Sequence, residues 1–229
     1  MKSNILLLHG ALSSHKQFLP FIPFIEEKFH IHNIDFEGHG ERPLTKNTFL
    51  IDYFVDNVIE YLDAHSISSI DIFGYSMGGY VAVRLAQKFP ERVKKIYTLA
   101  TKFFWSPEIA KKEIQFLNPE IMQQKIPAYV VDLEKRHTAI GWKNVLHNTK
   151  EMMIDLGNHN YLSSETLKNV SHPIRIGVGD RDVKVSIEES ITAYKTFLHG
   201  ELIVLPATLN PFEKVCCKKL STSLFDFFV

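Results

Sequence analysis

The sequence predicts an α/β fold: a mostly parallel, doubly wound sheet of about six strands with a helical insertion. Short apolar runs alternate along the chain with amphipathic stretches at helical spacing, as in proteins whose parallel strands are connected by helices. This alternation stops between residues 102 and 170, where helical pieces separated by prolines and glycines take its place. We therefore expect a first part of the core (1–101), a helical lid (102–170) and a second part of the core (171–229).

Before the insertion, strands and helices are expected to alternate strictly. The predicted strands are residues 4–8, 30–34, 69–73 and 93–99, and the predicted helices are residues 16–28, 49–65 and 77–89. The segment 49–65 illustrates the helical spacing, with apolar side chains every three or four positions: Ile51, Phe54, Val55, Val58, Ile59 and Leu62. The strand runs are apolar throughout, which is typical of parallel strands buried on both faces.

The alternation resumes after the insertion. We expect a strand at 173–178, a helix at 186–198 that ends at His199-Gly200, a strand at 201–205 and a last helix from about Pro211. A helical insertion between two parallel strands lies over their carboxyl ends, which is where open α/β sheets bind ligands. The insertion is therefore predicted to cover a binding site.

The central motif is Gly74-Tyr75-Ser76-Met77-Gly78, between an apolar strand and an amphipathic helix. It fits the G-x-S-x-G pattern, in which a serine sits at a strained strand-to-helix turn with its hydroxyl exposed. Glycines are needed because strand and helix approach too closely there for a Cβ atom. The helix also directs its first N–H groups at the site, which suits a developing oxyanion. Ser76 is thus a candidate nucleophile.

Four motifs occur together in this chain: His9-Gly10-Ala11, Gly38-His39-Gly40, Gly74-Tyr75-Ser76-Met77-Gly78-Gly79 and Gly179-Asp180-Arg181-Asp182. In this order and context they resemble the α/β-hydrolase superfamily, and in particular its small lidded esterase-like branch. The resemblance covers nearly the whole chain, although the family's usual extra N-terminal strands are missing.

The resemblance implies a serine hydrolase that needs no cofactor or metal. Ser76 would be the nucleophile, and the backbone N–H groups of Ala11 and Met77 would form the oxyanion hole. The triad acid would lie in the G-x-x-D turn after strand 173–178, which makes Asp182 the candidate and Asp180 the less favoured alternative, since an aspartate there can also serve as a turn former.

The chain departs from the superfamily at the general base. The family carries its histidine in the loop after the last strand, at the position of Asn210, and no histidine follows His199. An asparagine amide has no group that titrates near neutral pH, so it cannot take the serine proton. Three explanations are open: a variant of an active enzyme, a naturally weakened hydrolase, or a base supplied by another histidine. The candidates for that last role are His9, His39, His137, His147 and His159.

The lid supplies the only indication of a substrate. It is rich in aromatic and methionine side chains, from which we take Trp105, Trp142 and Met153 as candidate substrate-binding residues. Such side chains predict a mainly apolar pocket for a small or medium carboxylic ester. The expected activity is ester hydrolysis through an acyl-enzyme. The alternatives are lactone or C–C bond hydrolysis, and a pseudo-hydrolase that binds a ligand without catalysis.

The overall composition gives no indication of a nucleic-acid or membrane partner. Lys plus Arg and Asp plus Glu number 26 each, so the formal net charge is zero. The first apolar run is too short for a signal-peptide core, and no segment reaches the length of a membrane span. Cys216 and Cys217 are adjacent, which is poor geometry for a disulfide, so we expect reduced thiols. We therefore expect a cytoplasmic protein that acts on a small molecule, with its oligomeric state left open.

Overall fold

The computed structural model describes residues 2–229 and is built on a six-stranded parallel sheet. The strands are β1 (Ser3–Leu8), β2 (Phe29–Ile34), β3 (Ile70–Tyr75), β4 (Val93–Leu99), β5 (Ile174–Arg181) and β6 (Gly200–Leu209). They lie in the order β2-β1-β3-β4-β5-β6, and all neighbouring pairs are parallel. This confirms the predicted α/β fold. The strand order reverses between β1 and β3, a switch point at which such sheets bind ligands.

Nine α-helices occur within the described residues, and most connect consecutive strands. They are α1 (Ile51–Ala64), α2 (Met77–Lys88), α3 (Pro107–Ile114), α4 (Pro119–Lys125), α5 (Pro127–Arg136), α6 (Trp142–Asn158), α7 (Ser164–Leu167), α8 (Ile187–Thr196) and α9 (Cys217–Phe228). Five of them, α3 to α7, stand between β4 and β5, which is the segment expected to be helical. The division of the chain at residues 102 and 170 stays a prediction.

Alternate side chains of the strands enter two separate hydrophobic cores. In β1, Leu6 and Leu8 face the core that contains α1 and α2, whereas Ile5 and Leu7 face the core that contains α9. All four side chains are fully buried. Since complete burial of one such side chain contributes about 1.5–3 kcal/mol, both faces of the sheet hold the fold together.

The predicted helix at residues 16–28 is wrong. The structure has two short 3-10 segments there, His15–Phe18 and Ile22–Phe24. Pro20 and Pro23 interrupt the segment, and proline removes a backbone donor and clashes with the preceding turn of an α-helix. Phe18 and Phe21 are nevertheless buried in the α9 core.

The end of the chain also differs from the prediction. β6 continues to Leu209 rather than ending at residue 205, because Leu209 pairs with Arg181 of β5 beyond a register shift. The last helix, α9, begins at Cys217 and not at Pro211, which is followed by a 3-10 turn. Asn210 is therefore the first residue after β6. Cys216 and Cys217 are both free thiols.

No helix within residues 2–229 combines the length and the apolar character needed to cross a membrane.

Candidate active site

Ser76 occupies the sharp turn between β3 and α2. Its φ is +51° and its ψ is −116°, a backbone conformation that non-glycine residues rarely adopt. The surroundings hold it there: its N–H donates to the carbonyl of Leu99 at 2.8 Å, and its own carbonyl accepts from the Gly79 N–H and the Thr101 hydroxyl, both at 3.0 Å. Backbone strain maintained by its neighbours in this way is characteristic of functional positions.

Two glycines allow β1, β3 and α2 to meet at this turn. A Cβ atom on Gly74 would lie 2.5 Å from the Cα of Gly79, and one on Gly78 would overlap the carbonyl of Leu8. Neither contact is possible between non-bonded atoms, so both positions require glycine. The glycines of the G-x-S-x-G motif are thus explained by close packing.

Two backbone N–H groups beside Ser76 are free to bind an anion. Within residues 2–229, the N–H groups of Ala11 and Met77 donate to no protein acceptor. Met77 is the first residue of α2, where N–H groups have no partner inside the helix and the helix dipole favours negative charge. The N–H of Ala11 shares a peptide plane with the carbonyl of Gly10, which accepts from His9 Nδ1–H at 2.8 Å and from the Ser13 N–H at 3.2 Å. Those bonds hold the Gly10–Ala11 peptide plane from the side that precedes Ala11.

Asp182 contacts the residue that stands where the base is expected. Its Oδ2 accepts a hydrogen bond from the Asn210 side-chain amide at 3.3 Å. Its Oδ1 accepts from the backbone N–H groups of Lys184 at 2.8 Å and Val185 at 3.0 Å. The carboxylate is therefore fixed by its own loop and directed at Asn210.

Asp180 has a different environment. Its Oδ1 accepts from the N–H of Thr208 at 3.0 Å, which links β5 to β6. Backbone N–H groups of Ala207 and Thr208 hold the pKa of this carboxyl below its usual value. Asp180 therefore links β5 to β6. Of the two aspartates, Asp182 is the one that contacts Asn210.

Three cavities meet at Ser76. The largest, about 410 Å³, has a wall of mixed polarity that includes Gly10, Ala11, Arg136 and Asn210. A second, about 50 Å³, is apolar and lies under the helical insertion; its walls are Ala11, Ile51, Met77, Tyr80, Lys102, Trp105, Met152, Met153 and Leu156 beside Ser76. The third, about 310 Å³, extends between the insertion and the loop after β5, and it too borders Asn210.

The structure brings two of the three predicted substrate-binding residues to these cavities. Trp105 and Met153 line both the apolar cavity and the third one. Trp142 does not: it is 6% exposed at the start of α6 and packs in the hydrophobic core. Its assignment as a substrate-binding residue is thus corrected to a core residue.

Lys102 and Tyr129 are among the polar cavity residues that the sequence prediction missed. The ammonium of Lys102 lies 3.2 Å from a carboxylate oxygen of Glu189 and 4.0 Å from one of Glu113. Its position three residues beyond the end of β4, at the carboxyl edge of the sheet, was the available signal.

No histidine among the described residues lines any of these three cavities. His9 and His137 are buried, and both nitrogens of each ring are engaged with backbone groups. His39 is buried and stacks on Phe49 with ring centroids 4.7 Å apart, as expected of a packing residue. His147 and His159 are exposed on or beside α6.

Burial keeps the three inner histidines neutral. It lowers the pKa of His9 to about 4, and lowers the pKa of His39 well below its usual range. The pKa of His137 is also lowered, first by burial and further by the neighbouring charge of Arg136. Because none of these rings lines a cavity at Ser76, the structure places no histidine among residues 2–229 where it could act as the base for Ser76.

Within the same residues, no group of three or more His, Cys, Asp or Glu side chains is arranged to hold a metal ion.

The geometry agrees with the comparison to known proteins. A family model of the alpha/beta hydrolase fold matches residues 4–129, which is more than half of the 229-residue chain. The chain therefore belongs to the α/β-hydrolase family.

Individual relatives extend this comparison. An uncharacterized hydrolase of Saccharomyces cerevisiae is 36% identical over 96 residues, covering 42% of this chain and 33% of the relative. A pimeloyl-[acyl-carrier protein] methyl ester esterase of Neisseria meningitidis is 29% identical over 98 residues, covering 43% of this chain and 36% of the relative. The chain thus matches less than half the length of these relatives. The solved structure of a thermophilic esterase from Thermogutta terrifontis superposes with a TM-score of 0.78 at 18% identity, covering 99% of this chain and 89% of that one, which shows the shared fold.

Proposed function

We propose that this chain is a serine hydrolase of the lidded, esterase-like branch, and that it cleaves small or medium carboxylic esters through an acyl-enzyme. The observation that carries the proposal is the strained turn at Ser76, which places one serine at the junction of three cavities and beside two free N–H groups. Strain of this kind is retained when a function depends on it.

In the proposed reaction, the Ser76 hydroxyl attacks the ester carbonyl. The carbonyl oxygen becomes negative in the tetrahedral intermediate, where the N–H groups of Ala11 and Met77 stabilise it. The alcohol departs and leaves the acyl group on Ser76, and water then releases the acid. Asp182 would orient a base at position 210.

Asn210 impairs this reaction at the proton transfer. A triad histidine accepts the serine proton and returns it to the leaving group, and an amide does neither. The oxyanion hole and substrate binding still provide a residual acceleration of about a thousand- to ten-thousand-fold over water in serine hydrolases without a complete triad. We therefore propose a slow esterase.

The apolar cavity of about 50 Å³ supports a short acyl group. It borders Ser76 and both proposed oxyanion donors, so the acyl chain of a bound ester would enter it. It is much smaller than the other two cavities at Ser76, which matches a short acyl chain better than a long one. The alcohol portion would occupy the larger, more polar cavity.

The test is hydrolysis of p-nitrophenyl acetate by the unmodified chain and by Asn210→His, Asn210→Gln and Ser76→Ala. Asn210→His should raise kcat/KM by at least about a hundredfold, the lower end of what a positioned general base contributes. Asn210→Gln controls for a change of size without a base and should give no gain. Ser76→Ala in the Asn210→His background should abolish turnover.

The alternative is a pseudo-hydrolase that binds a ligand and does not turn it over. The absence of a base at position 210 favours it, together with the hydrogen bond that keeps Asn210 on Asp182. If Asn210→His gives no turnover above buffer and a fluorophosphonate fails to label Ser76 in either protein, the esterase proposal fails and the results support a pseudo-hydrolase.

A further inference from the structure

The end of helix α5, in the insertion, is hydrogen-bonded to the Ala11 loop, which comprises residues 9–14 between β1 and the first 3-10 segment. Arg136, the last residue of α5, donates from Nη1 to the carbonyl of Leu12 at 2.8 Å. His137, the next residue, lies with Nε2 at 3.0 Å from the same carbonyl. The Leu12 carbonyl thus accepts hydrogen bonds from two side chains, which lie 124 and 125 positions later in the chain.

The protonation of His137 follows from its partners. Its Nδ1 accepts from the N–H of Gly40 at 3.0 Å, so that nitrogen carries no proton. Nε2 then carries the proton and donates it to the Leu12 carbonyl. The ring is 1% exposed and bridges the Gly38-His39-Gly40 turn to the Ala11 loop.

The loop needs such support because of its backbone conformation. Leu12 has φ +59°, in the left-handed region that a branched side chain disfavours. Before Ala11, the Gly10 carbonyl is fixed by His9 and Ser13, and the Gly10 N–H donates to Gln17 Oε1 at 3.1 Å. After Ala11, the Leu12 carbonyl accepts two long-range bonds, both from the insertion, and the next long-range backbone bond is that of the His15 N–H to Asp35 Oδ1 at 2.6 Å.

Arg136 also lacks a competing carboxylate. Within residues 2–229, no Asp or Glu oxygen lies within 4.0 Å of its guanidinium, so its hydrogen bond to Leu12 is not divided with an ion pair. A hydrogen bond from a charged donor to a carbonyl is stronger than a neutral one. Arg136 lines the cavity at Ser76, where a bound substrate would sit beside it.

We propose that Arg136 and His137 form a clamp that holds the Ala11 N–H in the direction required for the oxyanion hole. They are positioning residues, since they act on the Leu12 carbonyl and not on reacting atoms. This role rests on the proposed function. It makes the insertion part of the catalytic apparatus as well as a cover, because a displacement of α5 would release the Ala11 loop.

The direct test measures the orientation of the Ala11 N–H by residual dipolar couplings in the ¹⁵N-labelled chain. Arg136→Gln and His137→Gln should each change the Ala11 coupling while the couplings of β1 stay as in the unmodified chain. The matched controls are Lys135→Gln, an exposed neighbour with the same loss of charge, and His147→Gln, an exposed histidine. Neither control should alter the Ala11 coupling. This measurement needs no enzymatic turnover.

The kinetic test uses the Asn210→His background. Each clamp variant should lower kcat by about ten- to a hundredfold, less than the hundred- to thousandfold that loss of a whole oxyanion donor costs. KM should change little in His137→Gln, because the oxyanion bond strengthens in the transition state and not on substrate binding. Arg136→Gln also alters the wall of the substrate cavity, so that variant is compared by kcat alone. A role confined to stability would lower the amount of folded enzyme and leave kcat per folded molecule unchanged.

Unchanged Ala11 couplings in both clamp variants, with the fold intact, would overturn the clamp. If His137→Gln does not fold, Arg136→Gln alone decides, since Arg136 is only half-buried. Altered couplings with no turnover in the Asn210→His background would retain the clamp and reject the esterase proposal. The two failures are therefore distinguishable.

Discussion

Protonation of His9 should destabilise the folded chain in mild acid. The ring is fully buried, and both of its nitrogens are used: Nδ1–H donates to the Gly10 carbonyl and Nε2 accepts from the Phe36 N–H at 3.2 Å. A second proton would set Nε2–H against the Phe36 N–H. Burial accordingly lowers the pKa of His9 to about 4, while the nearest carboxylate, Asp35, lies 4.0 Å away and opposes the shift only in part.

The direction and size of this effect on the free energy of unfolding follow from the linkage between proton binding and folding. Unfolded, His9 binds a proton below its ordinary pKa of about 6.5, whereas folded it stays neutral until about pH 4. The unfolded state therefore binds more protons between these values, and the free energy of unfolding falls as the pH falls through that window. A difference of about 2.5 pKa units at 1.36 kcal/mol each corresponds to about 3 kcal/mol, a large share of a typical 5–15 kcal/mol. The stabilisation that depends on a neutral His9 is fully present above the pKa of about 6.5 that this residue has in the unfolded chain.

Urea unfolding of the unmodified chain and of His9→Gln, at about pH 7.5 and about pH 4.5, measures this effect. The loss of stability between the two pH values should be about 2–3 kcal/mol smaller in His9→Gln, although the variant is less stable at the higher pH. His147→Gln, which removes an exposed histidine, should leave the pH dependence as it is. Equal pH dependence in His9→Gln and the unmodified chain would refute the assignment of a buried neutral His9.

Three further outcomes are expected. In the Asn210→His background, Asp182→Asn should lower kcat/KM by at least about a hundredfold, because the base loses its orienting acceptor. Asp180→Asn should chiefly lower stability, so steady-state kinetics and thermal unfolding distinguish the two variants. Gly78→Ala should lower the free energy of unfolding by more than about 3 kcal/mol in urea titrations, since its methyl group would overlap a backbone carbonyl of β1. Met153→Ala should enlarge the apolar cavity and raise the butyrate-to-acetate ratio of kcat/KM in Asn210→His by about tenfold; an unchanged ratio would argue against that cavity as the acyl site.

The turn at Ser76 could be predicted from the sequence because its signal is local. A buried strand, a glycine-flanked serine and an amphipathic helix occupy consecutive positions, and the strained Ser76 turn requires that order. The strands were predicted to within a few residues for the same reason, except at the end of β6. There, pairing of Leu209 with Arg181 extends the strand beyond Pro206, and that pairing is not visible in either segment alone.

Side-chain burial and long-range hydrogen bonds limited the rest of the prediction. Trp142 and Trp105 both lie in the helical insertion, yet one packs in the core and the other lines the cavities at Ser76. His137 forms hydrogen bonds with Gly40 and Leu12, which lie 97 and 125 positions away in the sequence. No local sequence pattern therefore indicates these partners. In the segment 16–28, the sequence predicted a helix, but two prolines determined the backbone.

Asn210 makes the contact to Asp182 that the proposed function expects of a base at position 210. Without any donor at position 210, the Oδ2 atom of Asp182 would have one hydrogen bond fewer, which is costly for a partly buried carboxylate. The amide of Asn210 supplies that donor at 3.3 Å, while Lys184 and Val185 satisfy Oδ1. Asparagine therefore reproduces the structural half of a histidine's role, the bond to the acid, and lacks only the second nitrogen that would accept a proton from Ser76. Since Asp182 is already in place, an imidazole introduced by Asn210→His should require no rearrangement of that acid, and this is why a single substitution is expected to recover activity.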